Sequence, residues 1–112
     1  MKMPQTVKKC IEEMGGIDNL ESMLPARKIL KKQANLFHSL SDKTRLRIVS
    51  ILSKMPSCVC VIKEITRIAD SKLSYHLALL KDADLIEGKR DKNWIIYSLT
   101  QNGRNIAESF GL

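Results

Sequence analysis

A chain of 112 residues is long enough for one modest hydrophobic core and too short to divide comfortably into two domains. Its formal charge of +7 accompanies a composition that is 44% hydrophobic, which excludes a disordered chain and points to a folded basic domain whose partner is a polyanion. No apolar run approaches the roughly 20 residues that span a bilayer, Met1-Lys2-Met3-Pro4-Gln5 leads into no signal-peptide core, and three cysteines with two of them one residue apart make no secreted disulfide framework. A cytoplasmic protein with reduced thiols is expected.

In chain order, Val7, Cys10, Ile11 and Met14 recur at helical spacing before Gly15-Gly16, a pair that ends a helix and permits a hinge. Residues 1–16 are expected to form a detachable arm carrying Cys10, and residues 17–112 the main folded domain. Asp18 and Glu21 stand at cap and third-residue positions, predicting a short helical turn with Leu20 and Leu24 that Pro25 stops. A helix follows from about Ala26 to Leu40. It carries Ile29, Leu30, Ala34, Phe37 and Leu40 on one side, an apolar face wide enough for a core and a partner subunit, and Lys28, Lys31, Lys32 and Asn35 on the other.

Asp42 is a good N-cap for a helix from Lys43 to Lys54, whose Leu46, Ile48, Val49, Ile51 and Leu52 cover more than one face, as in a helix buried among others. Pro56 closes it. Ser57 is then expected to cap a helix from Cys58 to Ile68, and Asp70 or Ser71 to cap another running to about Ala83 with Leu73, Leu77 and Leu80 inward. Two helices joined by a turn of about three residues make a helix-turn-helix. Leu85 to Arg90 and Trp94 to Leu99 flank Asp91-Lys92-Asn93, predicting a β-hairpin with a basic tip. Gln101 to Phe110 reads as a short last helix that Gly103 and Gly111 weaken. The fold class is mainly α with a small β-hairpin: a winged helix-turn-helix. A homodimer on an inverted-repeat duplex is expected, because one recognition helix and one wing cover only a half-site.

Cys58 and Cys60, with Cys10, are candidate metal ligands. Three soft thiolates suit a trigonal pyramidal ion with a lone pair, As(III), Sb(III) or Pb(II), better than tetrahedral Zn(II) or Cd(II). On a regular helix residues two apart point about 200° away from each other, so sharing one ion requires the first turn to unwind. Other readings stay open. Cys10 lies on the stripe of Val7, Ile11 and Met14 and serves equally as packing, while a thiol at a helix N-terminus with Lys54 or Lys63 nearby is oxidisable, which makes redox sensing the alternative signal. A third alternative is a DNA-binding regulator without any ligand. A thiol oxidoreductase is disfavoured by the absence of a βαβ context, and no enzyme and no obligatory cofactor are expected.

For DNA, Asp70, Ser71, Lys72, Ser74 and Tyr75 are expected on the exposed face of the recognition helix; Ser71, Lys72 and Ser74 donate to phosphates or base edges and Tyr75 stacks on sugar or meets a thymine methyl. His76 either touches phosphate or hydrogen-bonds within the fold, and His38 is expected at the surface or at an interface. Lys89, Arg90 and Lys92 at the hairpin tip suit phosphate or minor-groove contact.

The run Leu36 to Leu52 with Ser41-Asp42-Lys43-Thr44-Arg45-Leu46-Arg47-Ile48, then Cys58-Val59-Cys60, then Ser71 to Leu77 with its Ser-x-His-Leu end, then the wing, resembles the ArsR/SmtB-type metalloregulators in order and spacing. The likeness is to the arsenic- and cadmium/lead-responsive members. It implies a homodimeric winged-helix repressor that leaves its operator when a metal or metalloid binds, with Cys58 and Cys60 matching the Cys-x-Cys pair before the recognition helix. Lys63 stands where the arsenic sensors with clustered cysteines place a third, so by the resemblance either Cys10 substitutes or the site has only two thiols. One cysteine on the arm in place of two rules out the four-thiolate site of the cadmium/lead type. No histidine follows Leu99, so the zinc site that some members build on their last helix cannot form. Arg67 and Ala69 stand where the family has a small residue and a capping serine.

Overall fold

The computed structural model of the chain describes residues 2–112, in the order α1 (Gln5–Glu13), α2 (Ile17–Ser22), α3 (Arg27–Leu40), α4 (Lys43–Lys54), β1 (Ser57–Cys58), α5 (Val59–Thr66), α6 (Asp70–Asp82), β2 (Ile86–Asp91), β3 (Trp94–Leu99) and α7 (Gln101–Phe110). It falls into two units, one ending at Lys32 and one spanning Gln33–Leu112. Among the described residues no helix is long and apolar enough to cross a membrane.

In the first unit α1 and α2 bury no residue. Gly15 and Gly16 both adopt positive φ, 85° and 98°, a backbone that a β-carbon disfavours, and this carries the chain between the two helices. Gly16 is the N-cap of α2, and Asp18 lies inside the first turn without making a side-chain cap; the expected Asp18 cap is therefore corrected by two residues. Asp18 still favours that turn through the helix dipole.

The second unit holds the core. Ile48, Val49 and Leu52 of α4 pack with Ile62 of α5, Leu73, Leu77 and Leu80 of α6, Leu85, Ile86 and Leu99 of the hairpin region, and Ala107 of α7. The 3.6-residue spacing on α4 and α6 puts these side chains on single inward stripes. Asp42 caps α4 as expected, its Oδ1 accepting from the N–H groups of Thr44 (2.8 Å) and Arg45 (3.1 Å).

The Arg45 N–H is the first cause of an Asp42 pKa below the usual 3.8, with the Thr44 N–H and the Arg45 charge adding to it against the opposing effect of burial. A carboxyl whose folded pKa is depressed stabilises the fold fully above its unfolded pKa, and that contribution fades as pH falls through the folded value. Asp42→Ala should therefore lower stability by about 1 kcal/mol at neutral pH. The gap to wild type should close in strong acid, which denaturant unfolding at the two pH values measures.

Three sequence expectations change at the helix starts and the sheet. Ser57 does not cap a helix: Ser57–Cys58 is a short strand paired antiparallel with β3, and α5 starts at Val59 with Cys58 as its N-cap. The small β element is thus a three-stranded sheet of order β1-β3-β2, one strand more than a hairpin. α6 begins at Asp70 with Ala69 as N-cap and no side-chain cap, so neither Asp70 nor Ser71 fills that role.

The helix-turn-helix turn runs through Arg67, a left-handed C-cap at φ 56°, whose N–H donates to Lys63 O at 2.8 Å. β2 and β3 pair from Ile86↔Leu99 to Asp91↔Trp94, leaving a two-residue turn of Lys92-Asn93 in place of the expected three; Lys92 takes φ 57°. α7 forms despite its glycines, and each has a place. Gly111 is its left-handed C-cap at φ 68°, and Gly103 is buried where a β-carbon would run into the Leu85 carbonyl oxygen. Thr100 caps the helix by accepting from Gly103 N at 3.1 Å.

Candidate functional site

The junction of β1 and α5 brings Cys58 and Cys60 together. Cys58 lies outside the helix at φ −78°, ψ 164°, so its side chain does not follow the helical wheel; the two Cα atoms are 5.3 Å apart and the sulfurs are joined in a disulfide. Two expectations change. The opposition of about 200° applies only when both residues are helical, and here no turn has to unwind for the sulfurs to meet. Nor is the pair reduced in this structure: Cys10, exposed on α1, is the free thiol. Among the described residues no three His, Cys, Asp or Glu side chains gather to hold a metal ion.

Cys58 is half-buried and Cys60 exposed. With Val59 they line one side of an open cleft of about 360 Å³ whose other side is Asn93, Trp94 and Ile95 of the wing. Trp94 and Ile95 are apolar yet 57% and 49% exposed. Neither was singled out from the sequence, because alternation along a strand does not reveal which cysteine-bearing segment lies beside it.

Two structural links leave the cysteine pair, and their strengths differ. Lys63, one turn beyond Cys60, pairs with Asp70 at the start of α6 at 2.6 Å, but the side chains are 49% and 77% exposed. Such a surface pair is worth about 0–1 kcal/mol. The other link is main chain: Ser57 pairs with Tyr97 and Cys58 with Ile96 on the wing strand β3. Cys58 therefore belongs to the wing's own sheet, and any change in its backbone is felt by β3 directly.

On α6, Asp70, Ser71, Lys72, Ser74 and Tyr75 are all exposed, while Leu73, Leu77 and Leu80 are buried. His76 is half-buried, with Nδ1 2.8 Å from Nη1 of Arg45, so the hydrogen bond within the fold is present. His38 is exposed. Lys89, Arg90 and Lys92 are exposed on the hairpin, and Arg90 Nε donates to Lys92 O at 3.3 Å across the tip. Arg45 was missed as a site-supporting residue. Its signal was present: an arginine three, four and seven positions before Ile48, Val49 and Leu52 lies on the inward stripe of α4.

Comparison with known proteins accords with this arrangement. Residues 42–87 match the model of the "Bacterial regulatory protein, arsR family". The chain is 37% identical over 78 residues to the arsenical resistance operon repressor of Bacillus subtilis, covering 69% of this chain and 74% of that one. It is 35% identical over 80 residues to a cadmium resistance transcriptional regulatory protein CadC homologue of Staphylococcus aureus, covering 66% of each. The homodimeric winged helix-turn-helix DNA-binding domain from Mycobacterium bovis shares the fold, with a TM-score of 0.71 at 22% identity over 80% of this chain and 85% of that one. With its helix-turn-helix, its wing and these matches, the chain belongs to the ArsR family of bacterial regulatory proteins, as a DNA-binding transcriptional regulator and not an enzyme.

Proposed function

We propose that the protein is a repressor that holds an inverted-repeat operator as a homodimer and releases it when As(III), or a similar thiophilic ion such as Sb(III) or Pb(II), binds Cys58 and Cys60. The observation that carries this is the meeting of the two sulfurs at the β1–α5 junction. Reduced, they offer two thiolates already within reach of one soft ion, which suits these ions by ligand type. Cys10, on an arm of residues 1–16, is the proposed third ligand, from its own subunit or across the dimer. The names of the Bacillus and Staphylococcus relatives, an arsenical and a cadmium resistance regulator, support the class of inducer. Support for the dimer comes from the Mycobacterium bovis domain and from the exposed Ile29, Leu30 and Phe37 on α3.

The response reaches DNA through the wing. An ion drawing on Cys58 shifts the backbone that pairs with Ile96, and β3 carries the shift to the tip. Ser71, Lys72, Ser74, Tyr75 and His76 form the proposed major-groove face, and Lys89, Arg90 and Lys92 the proposed phosphate contacts. The disulfide favours a second reading, in which a peroxide oxidises the pair and the same ladder reports it. One experiment tests the function: sedimentation velocity of a fluorescent inverted-repeat duplex with the reduced protein. Two chains per duplex are expected, with release by arsenite; one chain, or indifference to arsenite, refutes the corresponding half.

Replacing Lys89 or Arg90 by Ala should weaken binding to every sequence and lower the salt slope by about one unit for each phosphate left without its cation. Replacing Lys72 or Tyr75 should instead reduce discrimination between operator and random duplex by about 1–3 kcal/mol. Anisotropy titrations across a salt series separate the two. Unchanged affinity and slope in the wing variants would remove the hairpin from the DNA interface.

A further inference from the structure

Arg45 is 6% exposed, and its guanidinium joins three helices. Nε donates to Ser39 O at 2.6 Å and Nη2 to His38 O at 3.4 Å, two carbonyls in the last turn of α3, of which His38 O also accepts from the Ser41 N–H at 3.1 Å and the Ser41 hydroxyl at 2.8 Å. Nη1 lies 2.8 Å from Nδ1 of His76 on α6. A guanidinium has five N–H donors, no acceptor, and keeps its charge at every accessible pH. Nδ1 must therefore accept, and the single proton of the neutral ring sits on Nε2. An Nδ1–H tautomer would set N–H against N–H, and an imidazolium would add a second positive charge to a buried one.

On the surface side, His76 shares an open cleft with Ser71, Lys72 and Tyr75, and the Tyr75 ring centroid lies 5.5 Å from its own. We infer that Arg45 is a positioning residue for DNA recognition, which fixes His76 as the Nε2–H tautomer and so makes the imidazole a permanent donor toward an acceptor on DNA. Without the arginine, a histidine ring exchanges between tautomers, and one of them presents a lone pair that phosphate oxygens repel. The inference rests on the proposed DNA-facing role of α6. The tautomer itself needs no DNA, so failure of the lock and failure of the interface are separately visible.

The test has two parts. Nitrogen-15 imidazole spectra of the labelled wild-type protein should show His76 as a single neutral tautomer protonated at Nε2; an Nδ1–H form, or an averaged mixture like free histidine, overturns the proposal whether or not any variant folds. Arg45→Met, His76→Ala and the double variant then form a cycle read by operator affinity, with circular dichroism confirming the fold. Arg45→Met, which keeps the length of the side chain but has no donor, should return His76 to a tautomer mixture and weaken binding about tenfold. In the His76→Ala background the same change should cost little, since its effect passes through the imidazole. An undiminished loss there would make Arg45 a purely structural group and sink the inference. A loss shared with random duplex assigns the acceptor to phosphate and a loss confined to operator assigns it to a base edge, both in its favour; no loss on either duplex overturns it.

Discussion

Serine in place of Cys58 or Cys60 should give a protein that grips operator DNA normally and no longer lets go when arsenite is added. The hydroxyl is small enough for either position and leaves the main-chain pairing of β1 with β3 in place, so the wing keeps its resting position. What disappears is a soft ligand, and oxygen does not replace sulfur toward a thiophilic ion. Coupling in such switches amounts to roughly 1–3 kcal/mol, about 5–150-fold in affinity, and the variants should reduce that ratio to unity. Fluorescence anisotropy with labelled operator, with and without arsenite, measures it. Cys10→Ser is the finer case: a weakened response and an X-ray absorption count falling from three sulfurs would place the arm in the site, whereas unchanged coordination would leave Cys10 outside it. If all three variants still release DNA with arsenite, the metalloid reading is wrong. If they lose a peroxide response instead, the disulfide is the signal.

Gly103→Ala should destabilise the protein by about 3 kcal/mol, although helix propensity alone predicts a gain of roughly 1 kcal/mol. The new β-carbon would collide with the Leu85 carbonyl oxygen, which is held by the Thr100 N–H at 3.1 Å and has no room to retreat. Gly111→Ala is the control: nothing lies within 4 Å, and only the left-handed backbone at φ 68° is strained, at about 1 kcal/mol. Urea unfolding of the two variants separates contact from conformation. A more stable Gly103→Ala protein would mean that α7 does not lie this close to the strand-entry chain.

These glycines show where sequence patterns stop being informative. Read along one helix, Gly103 only weakens it; its purpose is a close approach to Leu85, distant in sequence and invisible to periodicity. The core stripes of α4 and α6 were legible, since Ile48, Val49 and Leu52, and Leu73, Leu77 and Leu80, repeat with the helix. So was the Asp42 cap, whose partners are the next residues. The β1 strand was not. Ser57 and Cys58 have the local character of a helix start, and only the distant Tyr97 and Ile96 recruit them into a sheet. For the candidate site, the exposed residues of α6 followed from its buried ones, but the wall of Trp94 and Ile95 beside the cysteines and the clamp of Arg45 on His76 depend on tertiary neighbours.

The hydrogen bonds between β1 and β3 join peptide groups, which every amino acid but proline supplies alike, so the linkage is indifferent to the side chains that decorate the hairpin. If they meet phosphate as proposed, Lys89, Arg90 and Lys92 can be exchanged to tighten or loosen the hold on DNA without disturbing how the cysteine segment holds the wing. On the proposed function, the chemistry of Cys58 and Cys60 can likewise be exchanged for another ligand set while the same strand conveys the result. On that reading grip and trigger are separable traits in this fold, open to change one at a time.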